Sequence, residues 1–239
     1  MPPPVSVAYE EHTFACHADA APDRWRSYSA AVMQYVARIA PTGRLLDVGA
    51  ASGLLVEVAR AQGYEAMGIE PSSVAIATAH QRGRPVQHGY FTSGVFARQS
   101  FDLIVFQHVL EHVPSPGSLL DVAREVLRPG GRVFVIQTNF EGTVPSLLGR
   151  RWPGWVQQEH FIHFTTPGLS RLLETQGFVV EDIRYTSLGY YLYAAFGGPR
   201  VAMTVFTNTV AYLISKFRLG APYWGDQIYL AARLPGVPS

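Results

Sequence analysis

The segment 44–60 constrains the fold more than any other part of the chain. It begins with aliphatic residues and an acid, passes through a run of small residues at 49–53, and then takes the spacing of a helix. Gly49 and Gly53 allow a ligand to approach the unpaired backbone N–H groups at a helix start. The pattern predicts a strand, a ligand-binding loop and a helix, although an ordinary strand-to-helix connection would use the same small residues.

The alternation of strands and helices continues on both sides of this segment. Further elements are predicted in chain order as a helix at 22–40, a strand at 65–70, a helix at 74–81, strands at 85–88 and 101–106, a helix at 116–127 and a strand at 132–137. The nearly continuous apolar run at 101–106 is typical of a strand buried on both faces of a parallel sheet. Such alternation predicts βαβ units and a doubly wound α/β fold with helices on both faces.

The pattern changes after the fifth strand. Residues 139–165 are irregular and rich in Gly, Pro, Trp and His, and long loops in compact domains commonly carry function. A helix at 169–176 and strands at 178–184 and 227–232 then complete a mostly parallel, seven-stranded Rossmann-like sheet.

An insert at 185–225 separates the last two strands. Five apolar residues within it follow the spacing of one helix face, namely Met203, Phe206, Val210, Leu213 and Phe217. We expect this helix, at about 199–219, to pack on the domain, to cover the substrate, or to form a homodimer with a second copy of the chain.

Composition narrows the class of partner. Among 239 residues, 19 Lys and Arg balance 18 Asp and Glu, so the net charge of +1 offers no basic footprint for nucleic acid, and a small-molecule substrate is expected. Cys16 is the single cysteine, which excludes an intramolecular disulfide and a cysteine-based zinc cluster. The most apolar stretch, 201–214, is too short and polar to span a bilayer. We expect a cytoplasmic protein with a flexible tail at 1–21 and a single domain at 22–239.

Polar and small residues recur where the predicted strands end. These residues are Asp47 with Gly49, Glu70, Gly89, and Gln107 with His108. In doubly wound sheets the ligand lies beyond the carboxyl ends of the strands. Their convergence at one end of the sheet predicts a binding site that no single motif would establish.

These residues resemble those of the class I S-adenosylmethionine-dependent methyltransferases. That family places an acid before a Gly-x-Gly-x-Gly loop, which residues 47–53 match with Ala51 at the middle glycine. Residues 100–113 resemble its fourth-strand signature, and 127–131 resemble the turn before its fifth strand. An NAD-type loop would instead require glycine where this chain has Ala51 and Leu54.

The resemblance implies S-adenosyl-L-methionine as the cofactor and S-adenosyl-L-homocysteine as its product. It implies that the loop passes under the methionine portion of the cofactor and that Glu70 accepts hydrogen bonds from both hydroxyls of the cofactor's ribose. Many family members bind the adenine amine with an acid after the third strand, where this chain has Gly89-Tyr90-Phe91, so backbone groups or an aromatic face are expected there. The predicted cofactor-binding residues are Asp47, Gly49, Ala50, Ala51, Gly53, Glu70, Pro71, Gly89, Tyr90, Gln107, His108 and His112.

Histidines are the candidate catalytic residues, because a base is needed only if the acceptor must lose a proton. The segment 158–165 resembles the Glu-His-x-x-Tyr-Phe-Ser stretch of sugar C-methyltransferases, with His163 at the tyrosine position. That resemblance implies His160 as the base; a structural hydrogen-bonding role in the loop is the alternative. His108 and His112 would share one face of a helix, but no third metal ligand is evident and no metal is expected. We expect His108 to border the cofactor and His112 to pack where the next helix begins.

The function expected from these observations is methyl transfer to a hydroxyl of a biosynthetic intermediate, such as a natural product, a sugar or a quinone-like ring. C- or N-methylation of a nucleotide sugar or related metabolite is the alternative among enzymes. A non-catalytic cofactor-binding scaffold is the alternative outside them, and the ribose-binding acid at Glu70 argues against it.

Overall fold

The computed structural model describes residues 22–142, 145, 149–152, 155, 160–186, 225 and 227–236. The predicted tail at 1–21 and the predicted helix at 199–219 lie outside these residues. The expectations attached to them, including the homodimer, stay predictions.

Helices and strands alternate as the sequence predicts. The strands are β1 (Arg44–Val48), β2 (Glu65–Glu70), β3 (Val86–His88), β4 (Phe101–Gln107), β5 (Leu127–Thr138), β6 (Val179–Thr186) and β7 (Gln227–Arg233). The α-helices are α1 (Pro22–Ile39), α2 (Leu54–Ala61), α3 (Ser73–Gln81), α4 (Pro116–Val126) and α5 (Thr166–Thr175). Two short 3₁₀ helices lie at Leu110–His112 and Gly149–Arg151.

The seven strands form one mixed sheet in the order β3-β2-β1-β4-β5-β7-β6. Neighbours from β3 to β5 pair in parallel, whereas β7 is antiparallel to both β5 and β6. The predicted α/β class and mostly parallel sheet are confirmed. The order reverses between β1 and β4, which is where a doubly wound sheet opens a crevice for its ligand.

Each face of the sheet carries its own apolar core. Leu103 and Val105 of β4 pack in the cluster that includes residues of α1, α2 and α3. Ile104 and Phe106 of the same strand pack in the cluster that includes residues of α4 and α5. Successive residues of a strand point to opposite faces, so burial on both faces explains why β4 is apolar throughout.

Side-chain hydroxyls cap two of the helix starts. The hydroxyl of Ser72 accepts a hydrogen bond from the amide of Ala75 at 3.3 Å and caps α3. The hydroxyl of Thr165 accepts one from the amide of Gly168 at 3.2 Å and caps α5, whose first turn contains proline. Both bonds satisfy donors that would otherwise lack a partner within the helix.

The predicted turn at 128–131 is wrong in one respect, because β5 begins before it. Leu127 already pairs with Phe101, and the register shifts before the next pair. The amide of Gly130 donates to the carbonyl of Leu234 at 3.0 Å, and Leu234 donates in return to Gly131 at 2.8 Å. Pairing with the residues after β7 therefore keeps this segment in the sheet.

Candidate active site

The loop after β1 turns tightly and packs against the end of β4. Gly49 and Gly53 have φ values of 72° and 75°, in the left-handed region that glycine adopts without strain. The amides of Gly49 and Ala50 donate to the carbonyl of Ile69 at 2.9 and 3.1 Å, which ties the loop to β2. A Cβ on Gly49 would lie 2.7 Å from Cγ2 of Val109. The loop therefore lies at the point where the strand order reverses.

Glu70 ends β2 next to this loop. Its Oε2 accepts a hydrogen bond from the amide of Ala51 at 2.9 Å, and its Oε1 accepts one from the amide of Ser72 at 2.9 Å. Burial raises the pKa of Glu70, although these two backbone donors and the charge of His88 act to lower it. Each carboxylate oxygen keeps a further acceptor site, so the group can receive two hydroxyls of one ligand.

Asp47 lies inside β1, between Gly68 of β2 and Val105 of β4 in the register. It is only 3% exposed. Burial, followed by the negative charge of Glu70, raises its pKa well above the usual value for an aspartate. Burying the two carboxyl groups of Asp47 and Glu70 close together costs free energy unless a ligand forms hydrogen bonds with them. Buried acids with raised pKa values are common at functional sites.

The end of β3 joins the same corner. The amide of Gly89 donates to the carbonyl of Glu70 at 2.9 Å, and Nε2 of His88 lies 2.9 Å from the carbonyl of Pro71. Tyr90 is 45% exposed beside them. These contacts fix the backbone around Glu70 and leave an aromatic ring at the rim.

A chain of polar side chains runs from the end of β4 to α1 and β7. The amide of His108, the residue after Gln107, donates to the carbonyl of Ile136 at 2.8 Å. Nδ1 of His108 lies 3.1 Å from Oε1 of Glu111, and its Nε2 lies 3.0 Å from the hydroxyl of Tyr28. That hydroxyl is also 3.3 Å from Oε1 of Gln227. His108 is therefore held from both sides of its ring.

His108 and His112 do not share a helix face, contrary to the sequence prediction. His108 has φ 53° and lies outside the 3₁₀ helix Leu110–His112, which is too short to bring both rings together. The ring of His112 instead contacts that of His160, with centroids 4.7 Å apart and an interplanar angle of 76°.

The backbone at Phe161 and Ile162 contacts the 3₁₀ helix that follows β4. The amides of Phe161 and Ile162 donate to the carbonyl of Glu111 at 2.8 and 3.4 Å. These bonds hold His160 above the 3₁₀ helix. Single ligand atoms of Glu111, His112 and His160 all lie within 4.8 Å of one another.

An aromatic cluster adjoins these histidines, and His163 belongs to it. The ring of Phe140 lies 5.1 Å from Trp152, 5.2 Å from Trp155 and 4.4 Å from His163. The rings of His160 and His163 are 5.7 Å apart. Trp152 is only 2% exposed. It is therefore a core residue as well as a member of the aromatic cluster.

Burial lowers the pKa of two histidines in this region, His160 and His163. Burial, followed by the charge of His112, lowers the pKa of His160 to about 4. Burial also lowers the pKa of His163. For Glu111, burial alone would raise the pKa, but the hydrogen bond from His108 and the charges of His108 and His112 hold it below the usual value. A buried carboxylate with a lowered pKa thus lies near two histidines, His160 and His163, whose pKa is also lowered.

Comparison with known proteins identifies the family. A family model described as a methyltransferase domain matches residues 20–183, which is more than half of the chain. The chain belongs to the class I S-adenosylmethionine-dependent methyltransferases. S-adenosylmethionine is the cofactor of this family. The assignment of its binding to the loop of residues 49–53 and to Glu70 stays a prediction from the sequence.

Relatives of this methyltransferase include two curated ubiquinone biosynthesis O-methyltransferases. The protein from Aromatoleum aromaticum is 33% identical over 118 residues, which are 46% of this chain and 50% of that protein. The protein from Xanthomonas axonopodis pv. citri is 36% identical over 168 residues, which are 63% of this chain and 70% of that protein. The match thus spans half of the first relative and rather more of the second.

A solved structure shares the fold of this methyltransferase. An S-adenosylmethionine-dependent methyltransferase from Thermotoga maritima superposes with a TM-score of 0.61 and 19% identity, covering 91% of this chain and 96% of that one. Within the described residues, the methyltransferase has no helix that is long and apolar enough to cross a membrane.

The fold gathers most of the predicted site residues at one end of the sheet. Those at strand ends or in the loops that follow are Asp47, Gly49, Ala50, Ala51, Gly53, Glu70, Pro71, Gly89, Tyr90, Gln107 and His108. His112 and His160 form a separate contact next to them, and His163 lies with the aromatic rings. Their roles toward cofactor and acceptor stay predictions.

Three residues of the site were missed from the sequence. Arg84 is buried and donates from Nη1 to the carbonyl of Ser52 at 2.8 Å, which supports the loop from behind. Tyr28 reaches the site from α1, where its hydroxyl lies 3.0 Å from Nε2 of His108. Glu111 lies in the segment 100–113, which resembles the family's fourth-strand signature. An acid three residues after a histidine is the sequence signal that could have identified it.

Proposed function

We propose that this methyltransferase transfers the methyl group of S-adenosylmethionine to a hydroxyl of a small, ring-containing acceptor. The observation that carries the proposal is the close approach of Gly49 to Val109, because it joins the cofactor motif to the segment that holds His108, Glu111 and His112; a Cβ on Gly49 would lie only 2.7 Å from Cγ2 of Val109. This proximity supports one shared crevice for the methyl donor and the histidine cluster. The names of the curated relatives support oxygen as the methylated atom.

The aromatic cluster supports a ring-containing acceptor. Phe140, Trp155 and His163 pack ring against ring, and a planar acceptor beside them would add further aromatic pairs, which contribute favourable energy beyond their buried area. A sugar would instead need several polar partners beside it. A planar acceptor with a ring hydroxyl therefore fits these walls best.

The reaction is a displacement at carbon. The acceptor O–H passes its proton to an imidazole or to water, the oxygen forms a bond to the methyl carbon, and the S–C bond breaks with its electron pair remaining on sulfur. The positively charged sulfonium becomes a neutral thioether. Positioning supplies much of the acceleration, because both reactants are held close and in line. His160 and His163 are the groups proposed to act on the acceptor hydroxyl.

A mass-spectrometric screen tests the acceptor class. The protein is incubated with S-adenosylmethionine and with phenols, catechols, sugars and nucleotide sugars, and the expected result is a gain of one methyl group on a ring hydroxyl. A methylated carbon or nitrogen on a nucleotide sugar would overturn the proposal in favour of the alternative reaction. Absence of product from every class, with cofactor still bound, would favour the scaffold.

Calorimetry tests the cofactor separately. S-adenosylhomocysteine should bind at micromolar concentration, and Glu70→Ala should weaken binding by about tenfold or more, as expected for loss of hydrogen bonds to a charged group. Glu65→Ala is the matched control, because this acid lies at the opposite, exposed end of β2. If His160 acts on the hydroxyl, His160→Ala should cut turnover on the order of 10²-fold without changing cofactor affinity.

A further inference from the structure

The cluster of Glu111, His112 and His160 has the composition of a metal site. We propose that these three side chains bind a divalent first-row transition metal cation, with Zn²⁺ the best match, and that the acceptor hydroxyl occupies the open coordination position. This inference rests on the proposed function for the acceptor, but the metal site itself does not.

The spacing of the ligand atoms fits one ion. As they stand, single ligand atoms of the three residues lie within 4.8 Å of one another. Ligands of a tetrahedral Zn²⁺ at ordinary bond lengths lie about 3.3 Å apart, so small side-chain rotations suffice to close the set. Two imidazoles and one carboxylate are a ligand set of catalytic zinc sites, in which a fourth position stays open for water or substrate.

Two buried polar atoms of the cluster, one on Glu111 and one on His160, have no hydrogen-bond partner in the described part of the chain. Glu111 is 1% exposed, its Oε1 faces His108, and its Oε2 is buried with no hydrogen-bond partner in the described part of the chain. The same holds for Nδ1 of His160. Buried polar atoms are almost always satisfied, and an unsatisfied carboxylate oxygen is especially costly. A bound cation would satisfy both atoms at once.

The surroundings supply the supporting contacts that metal ligands require. His108 orients Glu111 by binding its other oxygen, and Tyr28 in turn holds His108. The backbone bonds from Phe161 and Ile162 to the carbonyl of Glu111 fix the segment that carries His160. Such outer contacts orient metal ligands and are part of functional metal sites.

The charges of the cluster favour a hydroxyl acceptor. Histidine ligates a metal as a neutral imidazole, so one carboxylate and two histidine ligands would leave a divalent cation with a net positive charge of one, which the oxyanion of a deprotonated acceptor cancels. A cation lowers the pKa of a bound hydroxyl, so the proton can leave to water near neutral pH. The oxyanion then attacks the methyl carbon as described above, with no change in oxidation state.

Metal titration of the purified full chain tests the inference. After removal of metal by chelator and dialysis, Co²⁺ is added and its visible absorption is followed, and Zn²⁺ is then added as a competitor. The expected result is one equivalent of Co²⁺ bound and displaced by Zn²⁺. His112→Gln and His160→Gln should each weaken binding by at least about tenfold. His80→Gln is the matched control, because His80 lies on α3 and contacts the carbonyl of Val86 in β3. This variant should bind Co²⁺ as the wild type does.

Two outcomes would overturn the metal site. One is the absence of stoichiometric Co²⁺ binding to the wild type, and the other is equal binding by His160→Gln and His80→Gln. S-adenosylhomocysteine binding, measured on every variant, verifies that each one is folded. Glu111→Gln tests the carboxylate in the same way, and the two histidine variants decide the matter if that variant does not fold.

The proposed hydroxyl acceptor can be tested independently of the metal site. Stoichiometric metal binding together with methylation of a carbon or nitrogen would support the site and overturn the hydroxyl acceptor. Methylation of a hydroxyl that persists unchanged in metal-free protein with chelator would support the proposed function and overturn the role of the metal. Loss of hydroxyl methylation with chelator, restored by Zn²⁺ or Mn²⁺, would support both.

Discussion

The backbone amide of Ala51 donates a hydrogen bond of 2.9 Å to Oε2 of Glu70, so the loop after β1 and the acid at the end of β2 form one unit. The second oxygen of Glu70 binds the amide of Ser72, which lies at the start of α3. One carboxylate therefore orders both the loop and the neighbouring helix start before any ligand arrives. Preordering of this kind reduces the entropy that binding must overcome.

Replacement of Ala51 tests this unit. Ala51 has φ 47°, and a β-branched side chain is poorly tolerated in that region, so Ala51→Val should lower the free energy of unfolding by about 1–2 kcal/mol and weaken S-adenosylhomocysteine binding. Ala51→Gly keeps the amide and should change stability by no more than about 0.5–1 kcal/mol. Urea denaturation and calorimetry give both quantities. Equal behaviour of the two variants would show that the backbone geometry at this position is unimportant.

Arg84 should support the loop from behind. Its Nε donates to Oε2 of Glu57 at 2.6 Å while its Nη1 reaches Ser52, and a lysine cannot make both bonds. We expect Arg84→Lys to lower the free energy of unfolding by about 1–3 kcal/mol and to weaken cofactor binding. Arg82→Lys, two residues earlier at an exposed position, is the matched control and should change neither. Unaltered cofactor affinity in Arg84→Lys would argue against this supporting role.

Asp47 should make the stability of the cofactor-free protein fall with increasing pH. Its pKa in the folded state is raised by burial and by Glu70, so the native state binds a proton that the unfolded state has released above about pH 4. Stability therefore decreases as pH rises through the window from about 4 to the raised pKa. Asp47→Asn removes this term.

Melting temperatures measured at several pH values test the prediction. The variant should melt at a higher temperature than the wild type at pH values of about 7 to 8, and the difference should shrink toward about pH 5. Glu70, whose pKa is also raised by burial, acts in the same direction and is present in both proteins. A variant that melts below the wild type at the higher pH would disprove the assignment.

Gly68 should be required for the packing of the loop on β2. A Cβ at this position would lie 2.5 Å from Cβ of Ala50 and 3.3 Å from Cγ2 of Val56, and neither neighbour can move easily. We expect Gly68→Ala to cost about 1–3 kcal/mol through overpacking and to weaken S-adenosylhomocysteine binding.

Gly117→Ala is the comparison for this variant. Its new Cβ would meet only the flexible end of Gln176, and alanine is the better helix former, so stability should stay the same or rise by about 0.5–1 kcal/mol. Thermal unfolding and calorimetry on both variants provide the test. Similar losses in both would mean that any added Cβ is harmful.

Much of the fold was predictable because its signals are local. The apolar run of β4 indicates burial on both faces, and the hydroxyl of Ser72 indicates a helix start, since each signal depends on residues only a few positions apart. The beginning of β5 was not predictable in the same way. Leu127 joins the strand because Phe101 lies opposite, and this pairing partner is distant in the sequence.

The sequence by itself determined the class of fold, the loop of residues 49–53 and the acid at Glu70, because strand and helix periodicity and the special backbone of glycine are written into neighbouring residues. Only the tertiary structure decided which histidines meet. His112 contacts His160 rather than His108, since two backbone bonds bring a later segment onto Glu111. Tyr28 and Arg84 reach the site in the same way, by contacts between elements far apart in the chain, and such contacts follow from packing that no local pattern encodes.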